Sequence, residues 1–273
     1  MAVVAVVAHP DRTEAAELAA RVDEWLTGRG HQVRSPDSNG ALDSDGLDLA
    51  VALGGDGTML RSVDLVCGSG VPVLGVNVGH LGYLTEVDPA GLDDALERFF
   101  AGDYTVEPRM TLEVELQAPA GAAVASWTAL NEAVLDKTVS GHTVRLAVSI
   151  DDRFFTTYAA DGLIVATATG STAYNLSARG PIVSPQLRAM LLTPVSPHML
   201  FDRSLVLDPA QVVRLEVLDG PAATLVVDGR TVTTLPVGAV VRCRSGRHDA
   251  RLVTFGDRDF HRILKTKFGL ADR

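Results

Sequence analysis

The chain has 273 residues, 47% of them hydrophobic and 21% charged, which suits one large or two modest globular domains. Its formal net charge is −10 and its Lys and Arg residues form no block, which argues against a nucleic-acid or anionic-membrane role. The two cysteines, Cys67 and Cys243, make no disulfide framework and fit no metal-pair spacing; both read as reduced, packed thiols of a cytoplasmic protein.

In chain order, the apolar stretch Met1–Ala8 ends at His9-Pro10-Asp11-Arg12 without a preceding basic segment or a cleavage pattern. No apolar run approaches the roughly 20 residues of a membrane helix, so a soluble chain without a membrane partner is expected. Thr13–Thr27 is predicted helical, with Ala16, Leu18, Ala19, Val22 and Leu26 on one stripe. His31–Arg34 and Asp48–Leu53 read as strands, Thr58–Val66 as a helix, Val73–Val76 as a strand and Gly91–Phe100 as a helix. Apolar strands alternating with helices predict a parallel sheet covered on both faces. Ligands of such sheets bind beyond the C-terminal strand ends, where Asp56 and Asn77 would lie.

After Pro108 the pattern becomes strand-rich. Met110–Leu116, Trp127–Leu135, Thr143–Ile150, Arg153–Thr157, Gly162–Thr167, Ser204–Leu207, Val212–Val217, Thr224–Val227 and Ala239–Arg242 are predicted strands. Turn signals stand at Ala118–Ala122, Asp219-Gly220 and Asp228-Gly229. The expected organisation is an α/β domain over 1–104 and a β-rich domain over 105–250. The tail 251–273, amphipathic over Asp259–Gly269, packs back on the protein.

Chemistry concentrates in a few places. Gly54-Gly55-Asp56-Gly57-Thr58 joins a buried strand to a helix. Its glycines are expected to take positive φ and admit a bulky anion, and Thr58 to cap a helix whose first amides favour phosphate. A carboxylate repels phosphate, so Asp56 is there to handle a proton or a metal, and the combination points to phosphoryl transfer. The turn is neither a Walker loop nor a Gly-x-Gly-x-x-Gly fingerprint. A second hydroxyl-rich turn, Thr167-Ala-Thr169-Gly170-Ser171-Thr172-Ala173-Tyr174, offers amides, hydroxyls and an aromatic ring to phosphate or ribose; helix capping by Ser171 or Thr172 is the simpler alternative. Asn131-Glu132 interrupts an apolar strand, either as acceptors for ribose hydroxyls or with Glu132 on a solvent-facing edge. His80, His142 and His198 lack a second ligand at metal spacing, and no metal site is expected.

These motifs, in this order and over nearly the whole chain, resemble the NAD kinase family, which phosphorylates the adenosine 2′-hydroxyl of NAD. The resemblance also includes Asn77-Val-Gly-His-Leu-Gly-Tyr-Leu-Thr85, Gly180-Pro-Ile182 and Thr193-Pro-Val-Ser-Pro-His198. It implies Asp56 as general base and Gly54, Gly55, Gly57 and Thr58 as the loop for ATP or polyphosphate. It implies NAD contacts at Gly57, Tyr83, Leu84, Asn131, Glu132, Thr169, Thr172, Ala173, Tyr174 and Ser177. Asp161 and Ser196 match positions that reach an NAD site across a subunit interface, which implies a homodimer or homotetramer. The tail is expected to return to the first domain, and Mg²⁺ to arrive with the donor's phosphates.

Two positions depart from the family pattern. Ala168 stands where proline is usual, loosening the loop, and Arg179 stands where glycine is common, either clashing with the usual backbone course or adding a phosphate contact. Two other readings compete: a non-catalytic NAD(P)-binding protein, and a lipid kinase sharing the glycine loop, for which no apolar groove or amphipathic membrane helix is evident.

Overall fold

The structure, a computed structural model, describes residues 1–79, 82–118, 122–256 and 259–270. It divides into two compact units, Met1–Pro108 with His248–Arg273, and Arg109–Arg247. The first is α/β with a parallel sheet and the second is β-rich.

The first unit runs β1 (Val3–Ala8), α1 (Thr13–Thr27), β2 (Gln32–Arg34), β3 (Leu49–Gly54), α2 (Asp56–Val66), β4 (Val73–Asn77), α3 (Leu92–Ala101) and β5 (Thr105–Arg109). Its sheet has the order β2-β1-β3-β4, then the returning strand Ala250–Thr254, then β5. The pairings β1–β2, β1–β3, β3–β4 and β4 with the returning strand are parallel. Every residue of β3 and β4 is buried, as strands covered on both faces require. On α1 the buried stripe runs through Ala15, Val22 and Leu26; Ala16, expected in it, is exposed. The chain leaves β1 toward β2 on one side and comes back beside β1 as β3 on the other. The C-terminal ends of β1 and β3 therefore flank a topological switch point, where open α/β sheets bind ligands.

The C-terminal helix Phe260–Phe268 also belongs to this unit. Its N-terminus is capped by the Asp259 carboxylate, which accepts from the His261 and Arg262 N–H groups at 2.9 and 3.1 Å. The returning strand, Ala250–Thr254, is not among the predicted elements.

The second unit contributes β6 (Leu112–Gln117), β7 (Ala123–Ala129), β8 (Glu132–Lys137), β9 (Val144–Ile150), β10 (Arg153–Ala160), β11 (Gly162–Thr167), α4 (Tyr174–Ser177), β12 (Met190–Val195), β13 (Leu205–Leu207), β14 (Val213–Val217), β15 (Ala223–Val227), β16 (Arg230–Leu235) and β17 (Val240–Ser245). The described strands form two sheets, β10-β9-β14-β17-β6-β7 and β13-β12-β11-β8-β15-β16. Leu112, Val114, Leu146 and Leu215 of one sheet share a core with Leu135, Leu163, Leu192 and Leu225 of the other. The second sheet also buries part of its opposite face, where Val134, Ile164, Ala166 and Leu191 pack with Ala178 and Val183. That double burial makes β11 a continuous apolar run instead of an alternating one.

The predicted single strand Trp127–Leu135 is in fact two. β7 ends at Ala129 in one sheet, and β8 starts at Glu132 in the other. Leu130 and Asn131 form the passage between them, for a reason found across the chain at Asp228. Ala118–Ala122, expected as a turn, lies partly outside the described residues.

Candidate active site

The glycine turn departs from expectation in two respects. α2 begins at Asp56 with Gly55 as N-cap and no side-chain cap, so Thr58 lies inside the first helical turn, buried, and does not cap it. Gly54, Gly55 and Gly57 also avoid positive φ. Their glycine character serves space instead. A Cβ on Gly54 would collide with the Thr58 side chain, so the missing atom lets α2 turn sharply off β3. Among the described residues, and apart from the turn's own neighbouring backbone, no atom lies within 4 Å of a Cβ position at Gly55 or Gly57, which leaves room for a bulky anion at the first amides of α2.

Asp56 is held from the opposite side. Its Oδ2 accepts from the Tyr83 N–H and its Oδ1 from the Leu84 N–H, both at 2.9 Å. Gly82 permits this approach, because a Cβ there would strike the carboxylate. Each carboxylate oxygen keeps a further lone pair, so the group remains able to accept a proton. Leu84 contributes through its backbone; its side chain is buried in the core. The Tyr83 ring carries the Lys267 ammonium 4.3 Å from its centroid, a cation–π contact from the C-terminal helix. Burial first, and then the Asp56 charge, raise the Tyr83 hydroxyl above its ordinary pKa. Asn77 is buried at the end of β4 and donates to the Gly79 carbonyl at 3.3 Å. His80 lies outside the described residues.

In the second unit the other two motifs meet. Gly170 packs so closely on the Asn131 backbone that a Cβ would collide with it. The Thr167 N–H donates to the Asn131 carbonyl at 2.8 Å, and Thr167 Oγ1 donates to the Leu130 carbonyl at 2.6 Å. Thr169–Thr172 forms a 3-10 turn, followed by α4 with no side-chain cap. Ser171 instead grips Val183, donating to its carbonyl at 3.1 Å and accepting from its N–H at 3.0 Å, while Arg109 donates to Thr169 Oγ1 at 3.4 Å. The capping alternative therefore fails for both Ser171 and Thr172. Ala168 keeps φ −59°, the value a proline ring would fix, so the substitution leaves the loop in its course.

Glu132 is 6% exposed, which excludes the solvent-facing edge. Burial, and then the charge of Asp228, push its pKa up to about 8; the Tyr174 N–H, bonded to the carboxylate, opposes them. At neutral pH the carboxyl is thus mainly protonated, and Oε2 has no hydrogen-bond partner among the described residues. Glu132 thus carries a donor as well as acceptor capacity that no described residue uses at Oε2.

Asp228 is the residue that sequence reasoning missed. Its carboxylate accepts from the N–H groups of Leu130, Asn131 and Glu132 at 2.8, 2.8 and 3.1 Å. These bonds hold the passage from β7 to β8. Asp228 itself sits at φ 46° beside Gly229 at φ 76°, in the two-residue turn between β15 and β16. Asp-Gly is a strong hairpin signal, and nothing in that signal reveals a second task for the carboxylate.

The remaining predicted residues lie in the same unit. Tyr174, Ser177 and Ser196 line one cavity of about 460 Å³. Asp161 pairs with Lys137 Nζ at 2.6 Å. Thr172 and Ala173 are half-buried between Gly170 and Tyr174. His142 and His198 are exposed, and among the described residues no three His, Cys, Asp or Glu side chains gather as a metal cage. Cys67 and Cys243 are buried and free, with burial the leading cause that raises their pKa values to about 11 and about 12, so neither is a ready nucleophile.

Comparison with known proteins gives this geometry a family. Residues 41–104 match the ATP-NAD kinase N-terminal domain and residues 130–255 the ATP-NAD kinase C-terminal domain. The NAD kinase of Heliobacterium modesticaldum is 43% identical over 279 aligned residues, covering 98% of each chain. This chain belongs to the NAD kinase family. Yeast NADH kinase, solved in complex with NADH, matches with a TM-score of 0.89 at 25% identity, covering 100% of this chain and 89% of that one. An NAD kinase from Archaeoglobus fulgidus, solved in complex with ATP, shares the fold with a TM-score of 0.75 at 24% identity, covering 98% and 97%. The family's two domains fall on the two groups of residues built above: the glycine turn with Asp56, and the Asn131–Glu132–Asp228 assembly with its hydroxyl-rich turn.

Proposed function

We propose that this chain is an NAD kinase that transfers the γ-phosphoryl group of ATP to the adenosine 2′-hydroxyl of NAD, forming NADP and ADP. The observation that carries the reading is the carboxylate of Asp56, oriented by two backbone amides beside a glycine turn open to phosphate. A ribose hydroxyl is a poor nucleophile. As its oxygen bonds to phosphorus and the bond to the ADP leaving group breaks, Asp56 accepts its proton. The amides at the start of α2 stabilise charge on the donor phosphates. Asn131 and the protonated Glu132 hydrogen-bond ribose hydroxyls, and Thr169, Thr172, Ala173 and Tyr174 form the wall around the nucleotide.

Mg²⁺ supplies charge neutralisation to the phosphates when it is bound. An ion that travels with the donor needs no protein cage, and Asp56 is the carboxylate at the loop able to meet it. Asp161 and Ser196 serve an oligomeric dinucleotide site in a homodimer or homotetramer. A cytoplasmic location accords with the absence, among the described residues, of any helix long and apolar enough to cross a membrane. The test is incubation of pure protein with Mg-ATP and NAD: NADP should accumulate, and its absence with every nucleoside triphosphate and with polyphosphate would contradict the reading.

A further inference from the structure

The chain leaves α4 through Ala178 and turns at Arg179, whose φ is 64°. The Arg179 N–H donates to the Leu176 carbonyl at 2.9 Å, and the Gly180 N–H donates to the Asn175 carbonyl at 2.8 Å. This pair of bonds is a Schellman closure, in which the left-handed residue is usually glycine because a Cβ there crowds the backbone. Here the glycine stands one place later, where its missing Cβ admits the Asn175 side chain. Position 180 needs glycine for space, whereas position 179 favours glycine for conformation and carries arginine.

Five described residues other than glycine have positive φ. Three are Asp151, Asp152 and Asp228, a residue type that tolerates this region. The other two, Arg179 and Ser196 at φ 45°, line the same cavity of about 460 Å³. Strained residues persist where function holds them. Asp202, Arg203, Ser177, Ser204 and Tyr174 complete the polar lining. Among the described residues Arg179 pairs with no carboxylate, and Asp202, the acid at this cavity, lies 3.4 Å from Arg203.

We propose that this cavity is an anion site in which Arg179, supported by Arg203, binds a phosphate group of the adenine dinucleotide. The assignment rests on the reading of Tyr174 and Ser177 as dinucleotide contacts. A guanidinium matches phosphate geometry with parallel N–H donors. Two phosphates share that chemistry, the pyrophosphate bridge of NAD and the 2′-phosphate of NADP.

The test is calorimetric titration of the full-length protein and of Arg179→Gly with NAD, NADP and adenosine, together with thermal melts. Glycine suits the left-handed turn, so Arg179→Gly should melt at the same or a higher temperature. Its affinity for the phosphate-bearing ligand should fall about tenfold or more, with adenosine binding unchanged. Equal losses for NAD and NADP assign Arg179 to the bridge; a loss for NADP alone assigns it to the 2′-phosphate. Unchanged affinity for both overturns the proposal, as does a loss of affinity that accompanies a lowered melting temperature. Binding is read apart from turnover, so a protein that binds NAD but makes no NADP contradicts the proposed activity without touching this site.

Discussion

The backbone N–H of Tyr83 donates to Oδ2 of Asp56 at 2.9 Å, and this bond joins two motifs that lie 27 residues apart. Together with the Leu84 amide it fixes the plane of the carboxylate and leaves no freedom to swing toward the donor phosphates. A mobile carboxylate in a phosphate loop could close on its own ligand and strengthen the repulsion between the like charges. Held by two amides, with glycine at 82 to admit it, the group has the fixed position that the proposed proton acceptor requires.

Glu132 makes stability depend on pH. Its folded pKa, about 8, lies above the ordinary value of 4.5, so the native state binds a proton that the unfolded chain has released. This contribution is fully present below about pH 4.5 and is lost as pH rises through 8. Glu132→Gln should therefore melt increasingly above the wild type as pH rises across that window. Melting curves at half-unit pH steps check this; parallel curves would show that Glu132 is not raised.

Asp228→Ala removes one acceptor from three backbone N–H groups at once. The expected cost is about 2–4 kcal/mol of stability, since unpaired buried donors lose hydration as well as partners. Dinucleotide affinity should fall with it, because Asn131 and Glu132 lose their backbone support. Asp228→Asn tolerates the left-handed turn but accepts through one oxygen, and should fall between the two. Urea denaturation and NAD titration of the three proteins measure both effects.

Where the sequence was informative, a local pattern carried the answer. The buried runs of β3 and β11 and the helical period of α1 each follow from a few adjacent residues. The catalytic candidate, Asp56, also stood out locally, as a charge in a turn that favours anions. What escaped depends on partners far along the chain. Trp127–Leu135 reads as one apolar strand, and the carboxylate of Asp228, 97 residues beyond Asn131, holds the break in it together with Thr167. The glycine turn misled in the opposite direction. Three glycines imply positive φ, yet here they answer steric needs set by Thr58 and by the open face of α2.

Ala168→Pro should stabilise the protein by about 0.4–1 kcal/mol. The native φ of −59° already matches a proline ring, and Thr167 before it is an extended strand residue, as proline prefers. The gain arises from restricting the unfolded chain, so NAD affinity should change little. Chemical denaturation of the variant measures the shift.

Asp56→Asn tests the central claim most directly. Asparagine retains one acceptor for the Tyr83 or Leu84 amide but loses the basic oxygen, so kcat for NADP formation should fall by about 10²–10⁴, with dinucleotide binding and the cooperative melt retained. NADP formation by Asp56→Asn at the wild-type rate would contradict the assignment of Asp56 as the base.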